Sequence, residues 1–345
     1  MRRREFLRTL ETTTVAGATG LLTANSVQAN TTAIAEKPYR FRLGMYLPEL
    51  GLPLEQSLIT ARQIGARHVW FSRISDEPDV ASWTDAHAAR IAARVKSHDL
   101  DIFLLNAGTP FKKIHLAELD YKTMADHPAF RRDLTSLVRS MQIAAHIGVS
   151  AVGTFTFAWP GEYTAGKPTW PMRWMTRGGL IAKVDEDKWL KAFSLVVEQA
   201  EKYDVDVALS MMPWNYTNTT VNFRHLAERL GSSRLKLMWG PADNLNSGEW
   251  DTATAGFQNA RPYLHGLHIK DLHVKDGVRL DFEYRPFGEG DVDYMTVLRN
   301  LRHHRCDAVL SVSTHFLPAS GSRVDAMKIH YANLVGMIRK LEDEA

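Results

Sequence analysis

"EKYDVDVALSMMPWNYTNT", Glu201 to Thr219, decides the fold. A helical pattern closes on a charged turn, Val205, Val207 and Leu209 then alternate as on a strand, and Ser210-Met211-Met212-Pro213 leads into a polar loop. The same hand-over recurs in "QIGARHVWF", "HIGVSAVGTF" and "GSSRLKLMW", where a helix passes through a Gly or a charged turn into a buried strand. This alternation marks βαβ units around a parallel sheet.

Eight strands are predicted: Phe41–Tyr46, Arg67–Ser72, Asp101–Asn106, Ala151–Phe155, Val205–Ser210, Leu235–Trp239, Leu264–Ile269 and Ala308–Ser313. Helices are predicted at Pro53–Ile64, Asp85–His98, Ala129–Ile147, Asp187–Lys202, Asn222–Leu230, Asp293–His303 and Asp325–Leu341. These units fit a single (β/α)8 TIM barrel, whose usual size is ~250 residues plus insertions. A doubly wound open sheet is the rival, but no G-x-G-x-x-G turn follows an early strand. In a barrel the C-terminal ends of the strands carry the chemistry. Ser210, Met211 and Met212 supply no charge there, which asks for an explanation.

The 345 residues, 45% hydrophobic and 23% charged, have an ordinary globular composition. The first 29 residues hold four Arg and two Glu, a surplus of +2, so the rest carries +1 of the formal +3. Near-neutrality gives no electrostatic case for nucleic acid.

The start, with Arg3-Arg4-Glu5-Phe6-Leu7-Arg8, a small-residue apolar stretch and Val27-Gln28-Ala29, reads as a bacterial twin-arginine export signal cleaved near Ala29. Residues 1–29 are then the signal, 30–38 a linker and 39–345 the barrel. No later run approaches the ~18 to 20 apolar residues of a membrane helix. The mature protein is expected in the periplasm or outside the cell, away from the membrane, and its single Cys306 excludes an internal disulfide.

Two loops exceed normal connection lengths, Asn106–Pro128 and Trp159–Asp187. The second holds Trp159, Tyr163, Trp170 and Trp174 with Lys167, Arg173 and Arg177. Aromatic faces interleaved with cations suit stacking on sugar rings and pairing with anions; a Trp-rich lid packed on the rim is the plainer alternative.

The stretch Tyr263–Phe316 resembles the xylose-isomerase-like TIM barrels, a superfamily of sugar isomerases, epimerases and dehydratases. The pieces that carry the likeness are Leu267-His268-Ile269-Lys270-Asp271, Phe287-Gly288-Glu289-Gly290-Asp291-Val292-Asp293-Tyr294, and the final strand. The likeness implies one divalent metal held by a Glu ending the fifth strand, an Asp or similar ligand on the sixth, a His on the seventh and a Glu on the eighth. Such an ion stabilises an enediolate while carboxylates move protons between adjacent carbons. Here Ser210, Gly240, His268 and Ser313 stand at those positions, so only the His is kept, while neighbouring Pro213, Pro241 and His315 stay in register. One His is no site, so no cofactor is expected and Mn, Mg or Zn is disfavoured.

His268, His315, Asp243 and Glu289 remain as candidate acids and bases, and Trp214, Asn215, Trp159, Trp174, Arg173 and Lys270 as candidate sugar contacts. For His268 a structural place, hydrogen-bonded to a neighbour, is the favoured alternative, as is a solvent-exposed or loop-bracing pair for Lys270 with Asp271. Asp293 reads as a helix N-cap. A rearranged Asp243–His268–His315 cluster is a further arrangement of the same residues. The resemblance therefore implies a sugar or keto-sugar isomerase or epimerase, or a related lyase, working without the usual metal. The alternative is an inactive barrel that binds a carbohydrate or a partner protein.

Overall fold

Gly44 sits where the barrel closes. A Cβ there would meet the His68 carbonyl oxygen at 2.7 Å and Val309 Cγ1 at 2.8 Å, so only glycine lets the first strand lie between its two neighbours. The computed structural model describes residues 38–160, 179–276 and 281–344. From Tyr39 onward the chain is one compact unit.

In chain order the elements are β1 (Arg42–Tyr46), α1 (Leu54–Ile64), β2 (His68–Phe71), α2 (Asp85–Ser97), β3 (Asp101–Asn106), α3 (Pro128–Ile147), β4 (Ala151–Thr154), α4 (Lys183–Tyr203) and β5 (Asp206–Ser210). They continue with α5 (Thr220–Leu230), β6 (Leu235–Trp239), the short α6 (Pro241–Asn246) and α7 (Phe257–Ala260), and β7 (Leu264–Ile269). The hairpin strands β8 (Asp271–Asp276) and β9 (Asp281–Arg285) follow, then α8 (Tyr294–His303), β10 (Val309–Val312) and α9 (Arg323–Asp343). The closed barrel runs β1-β10-β7-β6-β5-β4-β3-β2, every pairing parallel. All eight predicted barrel strands are present, with bounds shifted by a residue or two at most.

The helices bury one stripe against the strands. In α3 the buried Leu137, Ser140, Met141 and Ala144 repeat at the spacing of one helix face. Left-handed residues end the helices and turn the chain into the next strand. Asp204 does this at φ 55 after α4, its carboxylate ion-paired with Arg234 just before β6.

The barrel interior is a separate small cluster of Trp70, Phe103, Leu104, Ala151, Ala208, Met238 and Val309, with Tyr46 packed on it. Because alternate strand residues share a face, Ser210, Gly240, Ser311 and Ser313 continue the inward rows of Ala208, Met238 and Val309 toward the mouth. His268 rests on this cluster, its ring 5.1 Å from that of Trp70 and nearly parallel to it.

The hairpin β8–β9 is an antiparallel two-stranded sheet that the sequence did not suggest. It explains the Phe287–Tyr294 motif. The Asp271 carboxylate accepts hydrogen bonds from the backbone N–H groups of Leu272, Gly288 and Gly290. A Cβ at Gly290 would stand 2.2 Å from that carboxylate. Asp291 ties back to the hairpin through the Val274 N–H and His273 Nδ1, and Asp293 caps α8 by accepting from Thr296 N–H. Asp271 is thus the loop brace, and Lys270 is not its partner.

Candidate active site at the barrel mouth

Lys270 follows His268 on the inward row and leaves the barrel where β7 passes into the hairpin. Its carbonyl is held by the Tyr294 hydroxyl at 2.5 Å, so the backbone is fixed from behind. Its ammonium Nζ lies 2.9 Å from Asp243 Oδ2, with the two side chains 3% and 4% exposed. Burial by itself pulls the Lys270 ammonium down, but the charge of Asp243, helped by Tyr284, the Asp243 hydrogen bond and Glu49, lifts it above its ordinary range. Burial also lifts Asp243, against the pull of Lys270. The two shifts favour opposite charge states, charged for Lys270 and neutral for Asp243. The 2.9 Å contact decides for the ion pair, because a neutral pair would forgo the attraction that offsets burial.

Asp243 reaches this place because Gly240 leaves it open. A Cβ at Gly240 would fall 2.3 Å from Asp243 Oδ2, so the Asp243 carboxylate fills the space of a side chain at 240. The acid absent from the end of β6 is supplied three residues later, from the first turn of α6.

Glu49, just after β1, joins the same mouth and was not singled out from the sequence. It is 7% exposed, its Oε2 is 3.5 Å from Ser313 Oγ and its Oε1 is 3.6 Å from His315 Nδ1. Burial raises its carboxyl to about 7, against the lowering influence of Lys270, Arg323 and the Ser313 hydroxyl. The signal for it was an acid directly beyond the first strand of a barrel.

Burial, helped by the Lys270 charge, pushes His268 down to about 3, so its ring is neutral at ordinary pH. His315 is lowered too, by its enclosed edge and then by Lys270 and Arg323, but its side chain is 46% exposed and water moderates the effect. His268 Nε2 and Ser210 Oγ are buried without a hydrogen-bond partner. Lys112, from the long loop after β3, lies over the rings of Phe155 at 4.8 Å and Trp214 at 5.0 Å. Burial, with Lys113 and Lys270 nearby, lowers its ammonium to about 8.

The structure redistributes the sequence candidates. Asp243, Lys270, His268 and His315 gather at the mouth, and Trp214 borders it with Lys112. Asp243 pairs with Lys270, so no Asp243–His268–His315 cluster forms. Glu289 is exposed on the loop outside the mouth, where it lines a cleft with His315. Trp159 is a core residue, 2% exposed and stacked on Tyr216 at 4.1 Å, because its backbone is pinned to Trp214. Asn215 is buried too, donating to the Ser210 carbonyl and accepting from Thr217, so it fastens the loop instead of facing a ligand. Trp174 and Arg173, with the rest of residues 161–178, and the signal and linker residues 1–37, lie outside the described residues.

A family model for the xylose isomerase-like TIM barrel matches residues 58–327. The chain belongs to that family. No curated protein sequence matches it. Among solved structures, a xylose isomerase domain protein from Planctomyces limnophilus aligns with TM-score 0.63 and 14% identity over 89% of this chain and 99% of that one. An L-ribulose 3-epimerase aligns with TM-score 0.64 and 15% identity over 88% and 97%. The 3-keto-D-glucoside 4-epimerase of E. coli aligns with TM-score 0.60 and 13% identity over 87% and 100%. At such identities the likeness establishes the shared fold.

In this xylose isomerase-like barrel three of the four positions where the resemblance places metal ligands are uncharged. Ser210, Gly240 and Ser313 bring no charge, and the one acid near the β6 end is already paired with an ammonium. Among the described residues no group of three or more His, Cys, Asp or Glu is arranged to hold a metal.

Proposed function

We propose that this barrel handles a sugar or keto-sugar at its mouth by proton transfer next to a carbonyl, with the Lys270 ammonium as the fixed cation and no metal. The buried Lys270–Asp243 ion pair on the inward row of β7 carries the reading. The sugar epimerases among the structural neighbours support the substrate class.

In this reading the substrate carbonyl oxygen accepts a hydrogen bond from Lys270 Nζ. The Glu49 carboxylate removes the proton from the adjacent carbon, and the electron pair of that C–H bond moves onto the carbonyl oxygen. The enediolate so formed is stabilised by the preorganised ammonium, which Asp243 orients. Return of that proton to the same carbon gives hydrogen exchange; its delivery to the former carbonyl carbon, with the hydroxyl proton of the neighbouring carbon passing to the first oxygen, gives the isomer. A carboxyl near pH 7 is matched to both halves of the exchange. Neutral His268 and His315 offer hydrogen bonds to hydroxyls, and Trp214 a face for the ring.

The protein is further proposed to be exported through its twin-arginine signal. Among the described residues no helix is long and apolar enough to cross a membrane.

The chain from Asn30 onward, purified without chelators, is expected to be free of stoichiometric Mn, Zn, Co or Mg. It is expected to catalyse deuterium incorporation beside the carbonyl in members of a panel of ketoses and 3-keto-sugars. Loss of exchange in Lys270→Gln and Glu49→Gln supports the assigned roles. Binding without exchange across the panel selects the non-catalytic carbohydrate binder, and a stoichiometric ion overturns the metal-free reading.

A further inference from the structure

We propose that the cleft outside His315, between the β8–β9 hairpin and the loop after β10, is a second subsite for a neutral sugar ring. The substrate is then a glycoside, with one ring in the mouth and the next in the cleft. The inference rests on the reading of the mouth given above and extends it to the substrate class.

The cleft holds about 510 Å³, within the ~300–1,000 Å³ of small-molecule sites. It begins at the mouth itself. His315 lines it and also stands 3.6 Å from the Glu49 carboxylate. Tyr284, whose ring is 4.9 Å from that of His315, lines it as well and is close enough to Lys270, Asp243 and Glu49 for all three charges to act on its phenol. These two side chains form the passage from one space to the other.

The cleft walls are those of a polyol site. Tyr284, Phe316 and Leu317 give an apolar surface for the C–H face of a ring, and Leu317 remains 55% exposed although it is a large aliphatic. Glu289 and Arg285 supply acceptors and donors for hydroxyls. The lining cation Arg285 is ion-paired with Glu283, which also holds Lys275. The walls therefore hold their cations in ion pairs and do not present them to a phosphate or carboxylate, whereas a neutral ring needs no counter-charge.

The test compares 3-keto-glucose with 3-keto-maltose, 3-keto-cellobiose and 3-keto-trehalose, measuring affinity by calorimetry and deuterium exchange beside the carbonyl. At least one disaccharide is expected to bind about tenfold or more tighter than 3-keto-glucose, the scale of a few added contacts. Leu317→Arg, which fills the cleft from an exposed position, and Glu289→Ala are expected to shrink that ratio at least about threefold while the thermal midpoint holds. Equal affinity for the free sugar and all three disaccharides overturns the subsite and leaves the mouth reading intact. A preference that neither variant alters overturns the location. Failure of all four sugars to bind or exchange overturns both readings together.

Discussion

Lys270 Nζ and Asp243 Oδ2 are 2.9 Å apart in a mouth where both side chains are almost fully enclosed, and each is the other's main counter-charge. Removing one partner leaves a buried charge uncompensated. Asp243→Asn or Lys270→Met is therefore expected to cost about 3–5 kcal/mol, read from urea midpoints. The double variant Lys270→Met with Asp243→Leu is expected to recover most of that stability while the exchange activity stays lost. Single variants costing under about 1 kcal/mol would show the pair to be solvated in solution.

Gly240 makes a second, sharper prediction. Its missing Cβ is the space that Asp243 uses, 2.3 Å from Oδ2. Gly240→Ala should push the carboxylate off Lys270 and cost about 1–3 kcal/mol, whereas adding Gly240→Ala to Asp243→Ala should cost little more than Asp243→Ala alone. Strict additivity in that cycle would contradict the shared space. The same crowding means that Ser210→Glu, Gly240→Asp and Ser313→Glu cannot create a metal site together unless Asp243 is also shortened.

Most of the barrel was legible in the sequence. Its strands are short apolar runs bounded by Gly or charged turns, as at "QIGARHVWF", and its helices carry one buried stripe, so period and punctuation alone located them. The inward positions Ser210, Gly240, His268 and Ser313 also followed from alternation once a resemblance supplied the register. The Lys270–Asp243 pair did not follow, because it joins residues from two elements through the space left by a glycine. Asn215 and Trp159 looked like sugar contacts by residue type, yet both are consumed by packing that sequence periodicity cannot express. The hairpin was hidden because "DLHVKDGVRLDFEYR" is too polar to read as buried strands, and its Asp271 brace acts on amides up to nineteen residues away.

Glu49 predicts a pH dependence in both activity and stability. Its carboxyl is raised from 4.5 to about 7, so the folded protein holds that proton more tightly than the unfolded chain. The contribution is fully present below about pH 4.5 and is lost as pH rises through about 7, a change of roughly 3 kcal/mol for a shift of this size. Glu49→Gln is expected to flatten the stability profile between those values. Exchange that needs the ionised base should climb over the same interval toward a plateau above about pH 7. A flat rate profile from pH 5 to 9 would remove Glu49 from the proton transfer.

The buried histidines act in the opposite sense. His268 is pushed by burial to about 3 and His330, fully buried on α9, to about 4, both below the ordinary 6.5, while His315, half exposed at the cleft, is screened by solvent and contributes less. The unfolded chain binds those protons first, so their contribution is present above about pH 6.5 and drains away as pH falls toward 4 and then 3. His330 packs beside Phe316 with neither ring nitrogen hydrogen-bonded to another side chain, so an apolar residue can take its place without breaking a side-chain hydrogen bond. His330→Leu is expected to keep the midpoint near pH 7 within about 1 kcal/mol and to make the fall on acidification measurably shallower, since one buried group that resists protonation is gone while His268, His265 and His68 remain. Urea midpoints measured at half-unit steps from pH 4 to pH 7.5 decide it: parallel profiles for variant and parent would mean that His330 takes up its proton in the folded state.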